Sequence, residues 1–216
     1  MKYLKIMMTI LYFFLYQIYG QEAEINEEIE MEKEDNRRAY EIMMEYPTND
    51  GIKKLVNLAE ISILEINTRK VTNKGLQYLS NLLAVRNIRK LSLGSTRIND
   101  DGLKYLACLS NLEELNLGYT KITGSGLSYL KNLSKLSKIF LYGCENLKDT
   151  ELIHLKNFPN LSDLYLGKTN IGDAGLSHLA NMTKIKNLAL YETKITDNGL
   201  KYLKELNELS ILNLAD

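Results

Sequence analysis

From residue 48 onward, apolar side chains fall at one fixed spacing: an apolar residue, two variable, an apolar residue, one variable and an apolar residue, as in Leu112-Glu113-Glu114-Leu115-Asn116-Leu117. The unit recurs as Ile61/Leu64/Ile66, Ile88/Leu91/Leu93, Leu136/Ile139/Leu141, Leu161/Leu164/Leu166, Ile185/Leu188/Leu190 and Leu209/Leu212/Leu214, at steps of 27, 24, 24, 25, 24 and 24 residues. Apolar-variable-apolar alternation predicts a short strand with one inward face. Between these units lie Gly75-Leu76, Gly102-Leu103, Gly126-Leu127, Gly175-Leu176 and Gly199-Leu200, each followed by another apolar residue three positions on, which predicts a short helix covering the same core. Asn49-Asp50-Gly51-Ile52 begins the same module, and Glu151-Leu152 holds its place in the one turn without glycine. Asn73, Asp100, Asp149, Asp173 and Asp197 stand just before the helices as expected N-caps. Asn81, Asn132, Asn157 and Asn181 follow them as expected left-handed C-caps. Neither element is stable alone at this length, so stacking on neighbouring turns supplies the burial.

The chain ahead of the repeats divides into three segments. Ala39, Ile42, Met43 and Tyr46 recur at helical spacing and Pro47 ends the run, so residues 36–47 are expected to cap the first open repeat. Residues 21–35 are expected to form a disordered acidic arm, because segment 21–46 carries ten acids against three bases. At the very start, Lys2 and Lys5 precede the apolar run Ile6–Tyr19, the pattern of a secretory signal over residues 1–20 cut after Gly20. At fourteen residues this run is short for a membrane span of roughly 20. Retained, it would anchor a structural surface protein. In either case a secreted, periplasmic or cell-surface location is expected.

Composition narrows the function classes. Of 216 residues, 45% are hydrophobic and 25% charged, enough for a buried core. Two Cys exclude a disulfide scaffold or a four-thiolate zinc site, and two His leave few metal ligands. Formal charge is zero over the whole chain, which gives no sign of a nucleic-acid binder. Removal of residues 1–20 leaves 25 − 27 = −2, distributed as −7 over 21–46 and +5 over 47–216.

The run Leu-x-x-Leu-x-Leu-x-x-Thr-x-Ile-Thr-Asp-x-Gly-Leu resembles the leucine-rich repeat family, in the subclass with Thr-Asp-x-Gly-Leu outer helices found in F-box partner-recognition proteins and exported bacterial repeat proteins. The resemblance covers residues 48–216. It implies an α/β fold, a right-handed leucine-rich repeat solenoid or horseshoe with about seven strand units, a parallel concave sheet and short outer helices. It also implies a concave face that binds proteins. Family members often carry Asn or Cys at the turn where Thr96, Thr120, Cys144, Thr169 and Thr193 stand, and the threonines are expected to hydrogen-bond between turns.

Candidate chemistry is sparse. His154 and His178 share a repeat column with Tyr78, Tyr105, Tyr129 and Tyr202, so packing explains them better than a metal. Cys108 and Cys144 fall on opposite sides of a turn, too far apart to bridge. No phosphate loop, nucleophile elbow or His-Glu-x-x-His motif occurs, so the expectation is no enzyme, no cofactor, no metal and no small-molecule substrate. Three sequons begin at Asn132, Asn160 and Asn181, near the helix ends.

On the outward face of the strands, Phe140, Tyr142, Tyr165 and Tyr191 form one neighbourhood with Tyr119 beside it, and Gly94, Gly118 and Gly167 are expected to leave hollows between them. One column earlier, Lys90, Glu114, Lys138 and Asp163 alternate in sign and are expected to neutralise one another, with Lys138 and Asp163 available to orient a partner. These residues predict protein or peptide binding. An F-box-like adaptor is the alternative, although residues 1–47 leave no room for a recruiting domain. The last unit, Leu209 to Asp216, predicts an open strand edge that self-associates, or a longer array.

Overall fold

Each strand unit forms where the alternation predicts. The computed structural model describes residues 21–82 and 84–215; the expected signal segment 1–20 lies outside them. Strands β1 (Ile63–Glu65), β2 (Lys90–Ser92), β3 (Glu114–Asn116), β4 (Lys138–Phe140), β5 (Asp163–Tyr165), β6 (Asn187–Ala189) and β7 (Ile211–Asn213) form one parallel sheet in sequence order. Leu64, Leu91, Leu115, Ile139, Leu164, Leu188 and Leu212 lie in register. The ladder runs past each strand, with Leu117 N–H donating to Phe140 O at 2.9 Å and Tyr119 N–H to Tyr142 O at 2.9 Å. At the entry side two successive N–H groups share one carbonyl, as when Glu113 and Glu114 donate to Arg89 O.

After α1 (Gln21–Glu45), which docks at the start of the sheet, the outer layer is helical, with α2 (Asn49–Lys54), α3 (Asn73–Leu79), α4 (Asp100–Leu103), α5 (Asp173–Ser177) and α6 (Asp197–Leu200). Two turns use 3₁₀ winding instead, at Ser125–Leu130 and Asp149–Asn157, and neither of these has a side-chain N-cap. Between the layers, Leu76, Leu103, Leu127, Leu152 and Leu176 are fully buried opposite the strand leucines. At β7, Leu212 and Leu214 are 40% and 42% exposed, in contrast to the buried residues of the same columns in earlier turns, and Ile211 is 60% exposed in the outward column.

The helix starts differ from the expectation by one residue. Thr48, Thr72, Asn99 and Thr196 are the N-caps, each accepting from a backbone N–H inside its helix. The Asn or Asp that follows the cap position reaches forward into the next turn. Asp100 accepts from Thr123 N (2.9 Å), Gly124 N (3.1 Å), Gly126 N (2.8 Å) and the Thr123 hydroxyl (2.9 Å). Asn73 accepts from Asn99 N, Asp149 from Gly172 N, and Asp173 from Thr196 N and its hydroxyl. This interturn ladder explains the glycine of each Asp-x-Gly. A Cβ on Gly175 would sit 2.6 Å from Asp149 Oδ1, and one on Gly75 2.6 Å from Asn49 Oδ1.

The turn threonines, by contrast, bond within their own turn. Thr96, Thr120, Thr169 and Thr193 donate to the carbonyls of Leu93, Leu117, Leu166 and Leu190 three residues back. Between turns, Cys144 donates to Leu117 O at 3.2 Å and lies 3.6 Å from the Thr120 hydroxyl, so among the threonines Thr120 also bonds across turns. Nor do the asparagines after the helices adopt left-handed backbone. That conformation falls at Ser95, Tyr119, Lys168 and Glu192, with Gly143 in the same column.

The N-terminal segment departs most from its sequence reading. A single helix, α1, spans Gln21–Glu45 where a disordered arm over 21–35 and a cap over 36–47 were expected. Ion pairs Glu30–Lys33 (2.7 Å), Glu34–Arg37 (2.6 Å) and Arg37–Glu41 (2.9 Å) lie one helical turn apart and relieve the acidic run. Ala39 and Met43 are buried against the first repeat, while Tyr46 is exposed beneath Lys54. The docking is polar as well. Asn36 Oδ1 accepts from Ser62 N (3.0 Å) and Ile63 N (3.1 Å), and Asp35 Oδ2 accepts from Ala59 N (2.7 Å) and Glu60 N (2.8 Å). Asn36 thus supplies the two-donor acceptor that a preceding turn's carbonyl supplies elsewhere. Asn36→Leu, which leaves both N–H groups unpaired under the helix, is expected to cost about 1–3 kcal/mol. Chemical denaturation measures it, together with faster amide exchange at Ser62 and Ile63.

Candidate functional site

The outward face of the sheet splits into a polar half and an aromatic half. Over the early turns, Ser92 Oγ donates to Asn67 Oδ1 (2.8 Å) and Asn116 Nδ2 donates to Ser92 Oγ (3.1 Å), a side-chain ladder that follows the strand spacing. From β4 the same columns become aromatic. Phe140 and Tyr165 face each other across β4 and β5, stacked with centroids 4.4 Å apart and planes at 10°. Tyr142 meets Phe140 edge-on at 6.2 Å and Tyr119 edge-on at 5.3 Å, so four rings form one connected set. Tyr119 is 52% exposed.

Backbone conformation places two of these rings. Tyr119 lies at φ 55°, and this left-handed turn lays its ring over Gly143, itself at φ 68°. Tyr142 covers Gly118, where a Cβ would come within 2.6 Å of the ring, and Tyr191 covers Gly167 in the same way. Gly118 and Gly167 therefore leave no open hollows: the tyrosine of the following turn occupies each. The glycines make room for the rings, and the outcome is a filled, rigid aromatic surface.

Tyr191 joins the set from the far side. Burial pushes its phenol pKa up, and the nearby Tyr119 adds to the shift while Lys168 opposes it. The Lys168 ammonium, bonded to the Glu192 carboxylate at 3.2 Å, is held above its ordinary range by that hydrogen bond and charge, with Tyr119 contributing. Sequence reasoning missed Lys168 and Glu192. Their signal was the column Ser95, Tyr119, Gly143, Lys168, Glu192, where one glycine marks a left-handed position shared by all five.

The charged column behaves less simply than its alternation suggests. Lys90 and Glu114 approach at 4.0 Å, but among the described residues Lys138 and Asp163 make no ion pair although they lie opposite each other. The Asp163 carboxylate accepts from Asn187 Nδ2 and from the Ser162 hydroxyl instead. The expected charge neutralisation along the column therefore holds only for the first pair.

Other candidate chemistry is dispersed. His154 lies 3.3 Å from Glu151, and among the described residues no three His, Cys, Asp or Glu side chains converge on a metal-sized site. Cys108 and Cys144 are both free thiols, one exposed and one buried, and burial pushes the Cys144 thiol pKa up. Tyr78, Tyr105 and Tyr202 pack on the core from the outer helices, with Lys53, Lys104 and Lys201 over their rings. Among the described residues no helix is long and apolar enough to cross a membrane.

Comparison with known proteins agrees with this architecture. Residues 86–107, 108–131 and 159–180 match the family model described as a leucine-rich repeat. The solved structure of an internalin C2 from Listeria monocytogenes is similar, with a TM-score of 0.56 and 26% identity over 77% of this chain and 64% of that one. A second internalin of that organism, inlF, gives a TM-score of 0.58 and 23% identity over 77% of this chain and 50% of that one. The chain thus spans less than two thirds of either internalin. No curated protein sequence matches significantly. Repeat length, sheet order and these matches together make the fold a leucine-rich repeat solenoid.

Proposed function

We propose that this leucine-rich repeat protein is exported and non-catalytic, and that it binds a protein or peptide partner through the outward, concave face of its sheet. Tyr119, Phe140, Tyr142, Tyr165 and Tyr191 form the contact, and Lys138 and Asp163 border it. Export rests on the Lys2/Lys5 and Ile6–Tyr19 pattern. Binding rests on one observation, the connected ring set with centroid spacings of 4.4, 5.3 and 6.2 Å on a rigid sheet. Aromatic rings fixed in advance lose little conformational entropy on binding, so a partner keeps most of the burial energy they offer.

Stacking and binding make different demands on the same residues. Tyr165→Ala is expected to weaken partner affinity by about 1–3 kcal/mol. It should also cost about 0.5–1.5 kcal/mol of stability, because the Phe140 stack is lost. Phe140→Ala should behave alike. Titration of each folded variant against the partner, with denaturation run in parallel, separates the two terms. Equal affinity in variants that are destabilised would mean the rings only brace the strands.

A further inference from the structure

Just beyond the threonine or cysteine of each turn, one side chain stands at the edge of the sheet, and in the first three turns it is cationic: Arg69, Arg97 and Lys121. The backbone fixes their spacing, since Arg97 N–H donates to Val71 O (2.9 Å) and Lys121 N–H to Ile98 O (3.1 Å). All three side chains are exposed, and among the described residues none makes an ion pair or a side-chain hydrogen bond. Some cations elsewhere on the repeats are paired, as Lys168 is with Glu192 and Lys186 with Glu208, but these three are grouped on one cleft. The three border a cleft of about 390 Å³ whose wall includes Tyr119 and whose far end is closed by Glu145 and Asn146. Their backbone positions recur turn by turn at about the strand spacing of 4.8 Å, so three like charges share one edge, and an anion laid across them is attracted by all three.

We infer that this edge is a carboxylate-binding strip, continuous with the aromatic face through Tyr119, that takes an acidic segment of the protein partner. The inference rests on the reading of the sheet face as a protein-binding surface and adds the chemistry of the ligand. Two guanidinium groups suit carboxylates, which they bind through paired N–H donors. An extended peptide advances about 3.3 Å per residue, so acidic side chains two positions apart fall within reach of neighbouring turns. Among the described residues, Glu145 lines the end of the cleft without an ion pair to the three cations, and acids of α1 are engaged elsewhere. Glu32 reaches Arg89, and Glu30 and Glu34 are paired within α1. A polynucleotide fits less well, because the basic column stops at Glu145 and Asn170 and single strands need a longer cationic track.

The test uses the full chain and a fluorescein-labelled hexaglutamate peptide read by anisotropy. The Arg69→Ser, Arg97→Ser, Lys121→Ser variant is expected to lose at least about tenfold in affinity, and a rise from about 0.05 to about 0.5 M salt should weaken the unmodified chain comparably. Lys135→Ser, Lys184→Ser, which removes two cations from elsewhere on the surface, is the control and should bind as the parent does. Thermal unfolding of the triple variant, whose sites are exposed and unbonded, should match the parent. Tyr165→Ala should leave hexaglutamate binding unchanged, so failure of the aromatic reading and failure of the strip give separate results. No peptide binding, equal binding by the triple variant, or tighter binding of an oligothymidylate or a sulfated oligosaccharide than of the peptide would overturn the inference.

Discussion

Leu166→Ala is expected to lower the unfolding free energy by about 2–5 kcal/mol. Leu166 follows β5 and is fully buried, and its N–H is fixed to Ala189 O at 2.8 Å, so the backbone cannot close around a lost side chain. The cavity lies between turns whose own stability comes from stacking, and turn-to-turn coupling spreads the loss along the array. Leu214 holds the same position in the last unit but is 42% exposed, and Leu214→Ala should therefore cost under about 1 kcal/mol. Urea denaturation of the two variants checks the pair. A midpoint for Leu166→Ala equal to that of the parent would contradict the inward assignment of the strand leucines.

Loss of the interturn carboxylate at Asp100 should be nearly as damaging. Asp100→Ala removes the acceptor of three backbone N–H groups and the Thr123 hydroxyl, and an effect of about 2–4 kcal/mol is expected. Burial pushes the Asp100 pKa up, but the bonds from Gly126, Thr123 and Gly124 outweigh it, and the net pKa lies below its ordinary 3.8. Asp173 is also lowered, by the backbone and hydroxyl bonds of Thr196. A depressed carboxylate contributes stability that is complete above its unfolded pKa and is lost as pH falls through the folded value. Stability should therefore fall steeply in acid below the ordinary carboxylate range. Asp100→Asn should shallow that fall, since Asn73 already makes the equivalent forward bond with an amide. Denaturation midpoints measured against pH for parent and Asp100→Asn test the sign; parallel acid limbs would remove Asp100 from this account.

The strands were legible in the sequence because a period of two, repeated seven times at one spacing, has no other economical reading. The helix starts were misread by one residue. Thr72 and Asn73, like Asn99 and Asp100, are both good capping types, and the local pattern alone does not choose between them. The choice is made by the neighbouring turn: a Cβ on Gly102 would sit 2.5 Å from Asn73 Oδ1, so the second of the two residues faces forward. The hollows over Gly118 and Gly167 were misread for the same reason, since the rings that fill them belong to the following turns. In α1 the acidic run obscured a helix whose spaced Glu34, Arg37 and Glu41 were present in the sequence. The contacts of Asp35 and Asn36 with the first repeat, 24 to 27 residues away, have no local pattern at all.

The grouping of the aromatic rings on one face was legible from the alternation, and its internal geometry was not. Strand parity put Phe140, Tyr142, Tyr165 and Tyr191 on one face. It could not show that Tyr119 takes a left-handed turn that lays its ring over Gly143, nor that Asp163 is taken up by Ser162 and Asn187 instead of Lys138. Those features depend on competition between donors from different turns.

Partner binding through the aromatic face is tested most directly by site-specific photocrosslinking. A benzophenone-bearing phenylalanine is placed in the full chain at position 165, on the outward face of β5, or at position 129, where Tyr129 is 47% exposed among the outer helical segments. Each is irradiated with cell-surface protein extract, with and without excess unmodified chain. Position 165 is expected to give a protein adduct that the unmodified chain competes away, and position 129 none. An uncompeted adduct, no adduct at 165, or the same competed adduct from 129 would contradict partner binding through this face.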